Sequence, residues 1–118
     1  MSLAANAVIA LIGLLHVYIL VLEMFLWDKP AGRRAFGMTQ EMATATKTLA
    51  ANQGLYNGFL APGLFWGLWL GDAGQSVKLF FLLCVLAAGL YGAATASRKI
   101  LFIQAVPAAI GLALLALA

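Results

Sequence analysis

Two ionisable side chains, His16 and Glu23, lie within an apolar stretch that runs from about residue 4 to residue 27. The stretch is long enough to cross a bilayer, where an ionisable group is costly and commonly functional. Seven helical positions return the chain to nearly the same face, about 10 Å further along the axis. Because histidine titrates near neutral pH and a carboxyl group exchanges protons, the pair predicts proton exchange or ligand contact inside a membrane.

A block of polar residues, 52–57, opens the next hydrophobic segment with the sequence Asn-Gln-Gly-Leu-Tyr-Asn. Its amide and phenol groups can donate hydrogen bonds to a buried carboxylate. We therefore predict a polar site between the two hydrophobic segments. The candidate residues for ligand binding or proton exchange are His16, Glu23, Asn52, Gln53, Tyr56 and Asn57, with Tyr91 and Gln104 as secondary candidates.

The composition indicates an integral membrane protein that forms a single domain. Hydrophobic residues make up 64% of the 118 residues and charged residues 9%, against roughly 45–50% and 25% in soluble domains. The seven Lys and Arg residues form no run that could follow a nucleic-acid backbone, so nucleic acid is not an expected partner. The sequence holds one histidine and one cysteine, so it predicts no metal site, and no motif identifies a cofactor.

Hydrophobic segments of about 20 residues, the length of a spanning helix, recur along the chain. They predict an all-α fold, a bundle of four antiparallel transmembrane helices with a longer polar loop, 28–51, between the first two. Residues 39–51 of that loop are rich in Ala, Thr and Met, which favours a helical lead-in to the second span over a separate interfacial helix. The predicted helices cover about 4–27, 52–71, 77–96 and 100–117 of one domain, 1–118.

The distribution of basic residues predicts the orientation in the membrane. Six of the seven Lys and Arg residues fall in the loops 28–51 and 97–99, and Lys78 alone lies on the other side. Because cytoplasmic loops carry an excess of Lys and Arg, we expect both loops in the cytoplasm and both termini outside. The protein is then a multi-pass protein of the cell inner membrane, with its polar candidates in the cytoplasmic half of the bundle.

Three runs of residues resemble a family of small membrane proteins, the domain of unknown function 1304. The runs are His16-Val17-Tyr18-Ile19 with Glu23-Met24-Phe25-Leu26-Trp27, then Phe36-Gly37, and then Asn52-Gln53-Gly54-Leu55-Tyr56-Asn57-Gly58-Phe59-Leu60-Ala61. The resemblance covers nearly the whole chain, and the polar block is its most specific element. It implies four membrane helices and no particular activity. The positions that it marks are His16, Glu23, Trp27, Asn52, Gln53, Tyr56 and Asn57.

Three functions fit these residues. The first is proton-coupled transport or binding of a small or lipophilic molecule, for which four helices are few, so it predicts a homo-oligomer. The second is a membrane-embedded enzyme in which His16 or Glu23 acts as general acid or base on a lipid-soluble substrate. The third is a structural or regulatory subunit whose polar groups only join the helices by hydrogen bonds. The lipid bilayer is the expected partner in all three.

Overall fold

The computed structural model describes residues 3–117, and every regular element in that range is helical, which confirms the predicted all-α class. A 3-10 turn, Gly71–Gly74, precedes the fourth α-helix, and a π-helical segment, Leu101–Ala105, precedes the fifth. The two chain ends that we expect outside the cytoplasm, Met1 with Ser2 and Ala118, lie outside the described residues. The α-helices are α1 (Leu3–Met24), α2 (Pro30–Phe36), α3 (Gln40–Trp69), α4 (Gln75–Thr95) and α5 (Val106–Leu117).

Two helical stretches are long and apolar enough to cross a membrane, Leu3–Met24 and Gly71–Thr95. The stretch Leu101–Leu117 is apolar but shorter. Helix α3 has 30 residues, but the amides of the polar block and Pro62 lower its hydropathy. The all-helical architecture therefore holds, while the number of membrane passes stays a prediction.

The helical lead-in predicted for residues 39–51 of the polar stretch 28–51 is confirmed, because α3 begins at Gln40, whereas the loop predicted before it is wrong over residues 30–36, which form α2. Pro30 occupies the start of α2, where its missing N–H is not needed for the helical ladder. Gly37, at φ 63°, ends α2 in the left-handed conformation that glycine adopts without strain. The hydroxyl of Thr39 accepts a hydrogen bond from the Met42 backbone N–H at 3.2 Å, which caps the N-terminus of α3.

Backbone contacts group the chain into two compact units. Unit 1 consists of the residues up to Leu14 and those from Leu60 onward, and unit 2 consists of Leu15–Phe59. Unit 2 therefore contains the end of α1, all of α2 and the first two-thirds of α3. The core of unit 1 consists of Ile9, Ile12, Leu64, Leu82, Val85, Ala108 and Leu115.

Candidate functional site

Glu23 and Asn57 form a hydrogen bond between α1 and α3 inside unit 2. The Asn57 amide donates from Nδ2 to Oε1 of Glu23 at 2.9 Å. Glu23 is the penultimate residue of α1, and only 3% of it is exposed. The polar block was predicted to supply a hydrogen-bond donor to the Glu23 carboxyl, and Asn57 is the residue of the block that does so.

Small residues on α3 explain how the two helices come close enough for this bond. A Cβ added at Gly54 would lie 2.8 Å from the Cβ of Glu23 and 2.8 Å from the Cγ of Met24. A Cβ added at Gly58, one turn further along α3, would collide with the side chain of Leu20. Glycines four residues apart let helix backbones approach closely, so Gly54 and Gly58 place the Asn57 amide beside the carboxyl.

The Glu23 carboxyl keeps one oxygen uncommitted. Within residues 3–117, the carboxyl accepts a single hydrogen bond, which the Asn57 amide donates to Oε1. A carboxylate has about four lone-pair directions, so Oε2 remains available to a proton or to a donor group from a ligand. The residue is nevertheless almost completely buried.

His16 lies two turns before Glu23 on the same side of α1 and is fully buried, with 0% of its surface exposed. Both ionisable side chains of this apolar helix therefore point away from its exposed surface. The exposed positions of α1 are occupied by apolar and aromatic side chains such as Leu11, Leu14 and Tyr18. The roles predicted for His16 and Glu23 stay predictions, but their burial is the arrangement that those roles need.

Three members of the predicted site do not join it. Asn52, Gln53 and Tyr56 are exposed, and 65% of the Tyr56 side chain is accessible. Successive residues of a helix are rotated by about 100°, which puts Asn52 and Tyr56 on the face opposite Gly54 and places Gln53 at its edge. The polar block is therefore divided between the two faces of α3.

The two secondary candidates lie in unit 1. Tyr91, near the end of α4, is 73% exposed. Gln104 is buried, with 8% of its surface exposed, and it lies in the π-helical segment. That segment passes so close to α4 that a Cβ added at Gly89 would lie 2.6 Å from the backbone nitrogen of Ala105.

Sequence reasoning missed a second buried ionisable group, Lys78, in the first turn of α4. It is 0% exposed, and its Nζ donates to the amide oxygen of Asn6 at 3.1 Å and to the carbonyl oxygen of Gly71 at 3.5 Å. Lys78 was counted with the charges of the loops and so was not considered as a buried group, although it is the second residue of the predicted segment 77–96. An ionisable residue within an apolar segment was the signal that could have found it.

A polar cluster lies just beyond the end of α1 in unit 2. The Trp27 indole Nε1 donates to Oγ1 of Thr46 at 2.9 Å, and Lys47 Nζ lies 3.2 Å from Oδ2 of Asp28. The hydrogen bond from Lys47 holds the pKa of the Asp28 carboxyl below its usual range. Trp27 also packs on Phe36, with ring centroids 4.7 Å apart. The cluster connects the residues after α1 to α2 and to the first turns of α3.

The pocket that the structure describes in unit 1 has a volume of about 270 Å³. It contains none of the predicted site residues and no general acid or base. Its lining residues are Gln75, Ser76, Leu79, Leu112, Leu115 and Ala116.

Comparison with known proteins assigns the family. Residues 10–116 match the family described as Protein of unknown function (DUF1304). The chain is also 33% identical over 109 residues to the uncharacterised protein YpaA of Lactococcus lactis subsp. lactis (strain IL1403), an alignment that covers 91% of this chain and 87% of the relative. No solved structure matches with significant similarity. The family match contains Glu23, Asn57 and Lys78 but begins after Asn6, and it confirms the resemblance seen in the polar block: the chain belongs to the DUF1304 family.

Proposed function

We propose that this chain is an integral membrane protein in which Glu23, hydrogen-bonded by Asn57, exchanges protons as a small or lipophilic molecule binds. The observation that carries the proposal is the buried Glu23 carboxyl, which has one oxygen bound by an amide and the other without a partner among the described residues 3–117. His16, buried on the same helix, is the second titratable candidate.

The surface of the apolar helices supports the membrane location. Only 33% of the residues in the most apolar window of Leu3–Met24 are buried, and only 22% of those in Gly71–Thr95. The core helix of a soluble protein would be mostly buried, whereas a helix in lipid exposes its apolar side chains. Exposed Leu11, Phe80 and Leu83 are examples.

The proposed topology has four passes. At about 1.5 Å per residue, the 30 residues of α3 exceed the thickness of a bilayer core, and Leu101–Leu117 is close to it. Six of the seven basic residues lie in 28–51 and 97–99, which favours a cytoplasmic location for both stretches and an outside location for both termini.

The proposal is tested by proton uptake into liposomes that contain the purified protein and a pH-sensitive dye, with a potassium diffusion potential as the driving force. We expect uptake by the wild type and its loss in Glu23→Gln, because glutamine can still accept the Asn57 hydrogen bond but cannot carry a proton. Gln53→Ala, which alters an exposed amide, is the matched control and should keep wild-type uptake. Normal uptake by Glu23→Gln would contradict the proposed role.

A structural role is the second candidate, since the Glu23–Asn57 bond lies where Gly54 and Gly58 bring α1 and α3 together. In that case the bond only joins the helices, and a hydrogen bond of this kind is worth about 0.6 kcal/mol on average. The two candidates differ in the liposome experiment: a stable Glu23→Gln variant with no change in any proton flux supports the structural role. The enzyme alternative and the proposed binding of a small molecule both require a cavity beside His16 or Glu23, and the pocket described in unit 1 contains neither residue, so it does not distinguish the two.

A further inference from the structure

Arg33, in the last turn of α2, has a buried guanidinium nitrogen that no acceptor binds within residues 3–117. The residue is partly buried, and its Nε has no hydrogen-bond partner in that range. Oδ1 of Asp28 is a buried oxygen that likewise has no partner there, so the two atoms do not bond to each other. Because arginine stays protonated in proteins, an unsatisfied Nε–H favours an acceptor from outside the chain, and an anion most of all.

Two more cations accompany Arg33 on α2, and we call the three residues Lys29, Arg33 and Arg34 the α2 basic cluster. Lys29 immediately precedes the helix, Arg34 follows Arg33, and both are exposed. Lys47, by contrast, pairs with Asp28 at 3.2 Å. In the part of the chain that the structure describes, no member of the cluster forms an ion pair. The helix dipole favours basic side chains in a last turn, but it provides no acceptor for a buried Nε–H.

Close packing holds the α2 basic cluster beside the end of α1. A Cβ added at Gly32 would collide with the backbone carbonyl of Leu26, so α2 lies directly against the chain that leaves α1. The Phe36 ring contacts the Trp27 ring, with centroids 4.7 Å apart, and 41% of Phe36 is exposed. In the proposed topology α1 leaves the membrane here on the cytoplasmic side, where aromatic side chains lie at the level of the headgroups. That topology therefore puts the cluster beside the lipid phosphates.

We propose that the α2 basic cluster binds the headgroup of an anionic phospholipid in the cytoplasmic leaflet. The lipid phosphate accepts hydrogen bonds from the Arg33 guanidinium, and Lys29 and Arg34 add charge around it, as basic residues next to a membrane helix do. The exposed part of Phe36 offers an apolar contact to the acyl chains, which a soluble phosphate lacks. This inference rests on the proposed membrane location and not on proton exchange at Glu23.

Quenching of Trp27 fluorescence by brominated lipids tests the site in liposomes. The variant Trp66→Phe with Trp69→Phe leaves Trp27, beside α2, as the one tryptophan of the chain. Bromine atoms on an acyl chain quench an indole that lies close to them. We expect brominated phosphatidylglycerol, which is anionic, to quench Trp27 more strongly than brominated phosphatidylcholine, which has no net charge.

Substitutions of Arg33 test its part in the site. Arg33→Gln should lower the preference for phosphatidylglycerol about fivefold, the effect of removing one basic contact with an anionic lipid surface. Arg33→Lys keeps the charge but not the Nε–H, so it should retain only part of the preference. Arg98→Gln is the matched control, because it removes the same charge at an exposed position of the other stretch expected in the cytoplasm, and it should leave the preference unchanged.

Several results would overturn the lipid site. An equal loss of preference in Arg33→Gln and Arg98→Gln would assign it to general surface charge, and full preference in Arg33→Lys would remove the contact assigned to the guanidinium. Inorganic phosphate at constant ionic strength should leave the quenching unchanged, and loss of the preference would assign the cluster to a soluble phosphate. Equal quenching by both lipids would refute the lipid site alone, whereas no quenching by either would refute the membrane location and with it the proposed function.

Discussion

Each of the two units contains a buried ionisable side chain bound by an asparagine from another helix. In unit 2 the Glu23 carboxyl accepts one hydrogen bond from Asn57. In unit 1 the Lys78 ammonium donates both to Asn6 on α1 and to the Gly71 carbonyl before α4. Neither charge is stabilised by the dipole of its own helix, since Glu23 lies at a C-terminal end and Lys78 at an N-terminal end. The asparagines therefore supply stabilisation that the helix ends do not.

The two sites differ in how much of the ionisable group is committed. Lys78 joins three segments of chain and is 0% exposed, as expected of a residue that fixes helix positions. Glu23 is bound at one oxygen, and in the part of the chain that the structure describes no donor binds the other. The comparison indicates that the ammonium in unit 1 has a structural role, whereas the carboxyl in unit 2 has the chemical capacity for proton exchange.

The largest effect on stability is expected from Lys78→Ala. It removes a fully buried side chain and leaves the Asn6 oxygen without its donor, which should lower the free energy of unfolding by about 3 kcal/mol or more. Thermal unfolding in detergent measures the loss. Lys78→Met, which retains the volume but not the hydrogen bonds, should lose less. Proton uptake per folded molecule should be unchanged in Lys78→Met. Loss of uptake in a stable Lys78→Met variant would contradict the distinction between a structural role for Lys78 and proton exchange at Glu23.

A second large effect is expected from Gly54→Leu in unit 2. The new side chain would press on Glu23 and Met24, and overpacking of this kind costs about 1–3 kcal/mol. The thermal midpoint should fall, and the Asn57 hydrogen bond should be lost as α1 and α3 separate. Leu55→Ala, at the neighbouring exposed position, is the control. A Gly54→Leu variant as stable as wild type would show that close packing does not position Asn57.

Sequence reasoning found Glu23 and Asn57 because an ionisable residue in an apolar segment needs donors, and the polar block supplies them. It could not select Asn57 from its neighbours without the rotation of α3 about its axis. That rotation is set by Gly54 and Gly58, which must face α1. The helical spacing separates Asn52 and Tyr56 from Gln53 and Asn57, but it does not say which of the two faces meets α1.

The boundaries of the helices, like the members of the site, were predicted only in part. The composition predicts an all-helical chain with a helical lead-in at 39–51, close to the observed start of α3 at Gln40, but it does not predict α2, whose seven residues are too few to show a hydrophobic period. Lys78 was missed because a count of basic residues treats each one as a loop charge. Its burial depends on two oxygen acceptors outside its own helix, from Asn6 and Gly71.

A smaller effect is expected from Asn57→Ala. It leaves a buried carboxyl oxygen without its donor, which should lower the free energy of unfolding by about 1–2 kcal/mol, more than the average net contribution of such a bond. Gln53→Ala, one turn earlier and exposed, should stay within about 0.5 kcal/mol of wild type. Thermal unfolding of both variants in the same detergent gives the comparison. Equal losses in the two variants would mean that the Glu23–Asn57 bond contributes no more than a surface amide.

The smallest effect concerns the Asp28–Lys47 ion pair. Because the pKa of Asp28 is lowered in the folded state, the pair stabilises the protein at pH values above the ordinary Asp value of 3.8 and loses this contribution as the pH falls through the lowered pKa. Lys47→Gln should therefore reduce the thermal midpoint slightly at neutral pH and not at strongly acid pH. An equal reduction at both pH values would contradict the assignment.

Infrared difference spectroscopy tests the central claim, proton exchange by the Glu23 carboxyl, most directly. Spectra of the protein in lipid are recorded as the pH is varied between about pH 3 and pH 10, a range that brackets the ordinary carboxyl and histidine values. We predict a titrating carboxyl C=O band that is absent from Glu23→Gln and shifted in Asn57→Ala, whose side chain no longer binds Oε1. Identical titration spectra for the wild type and Glu23→Gln would contradict the account.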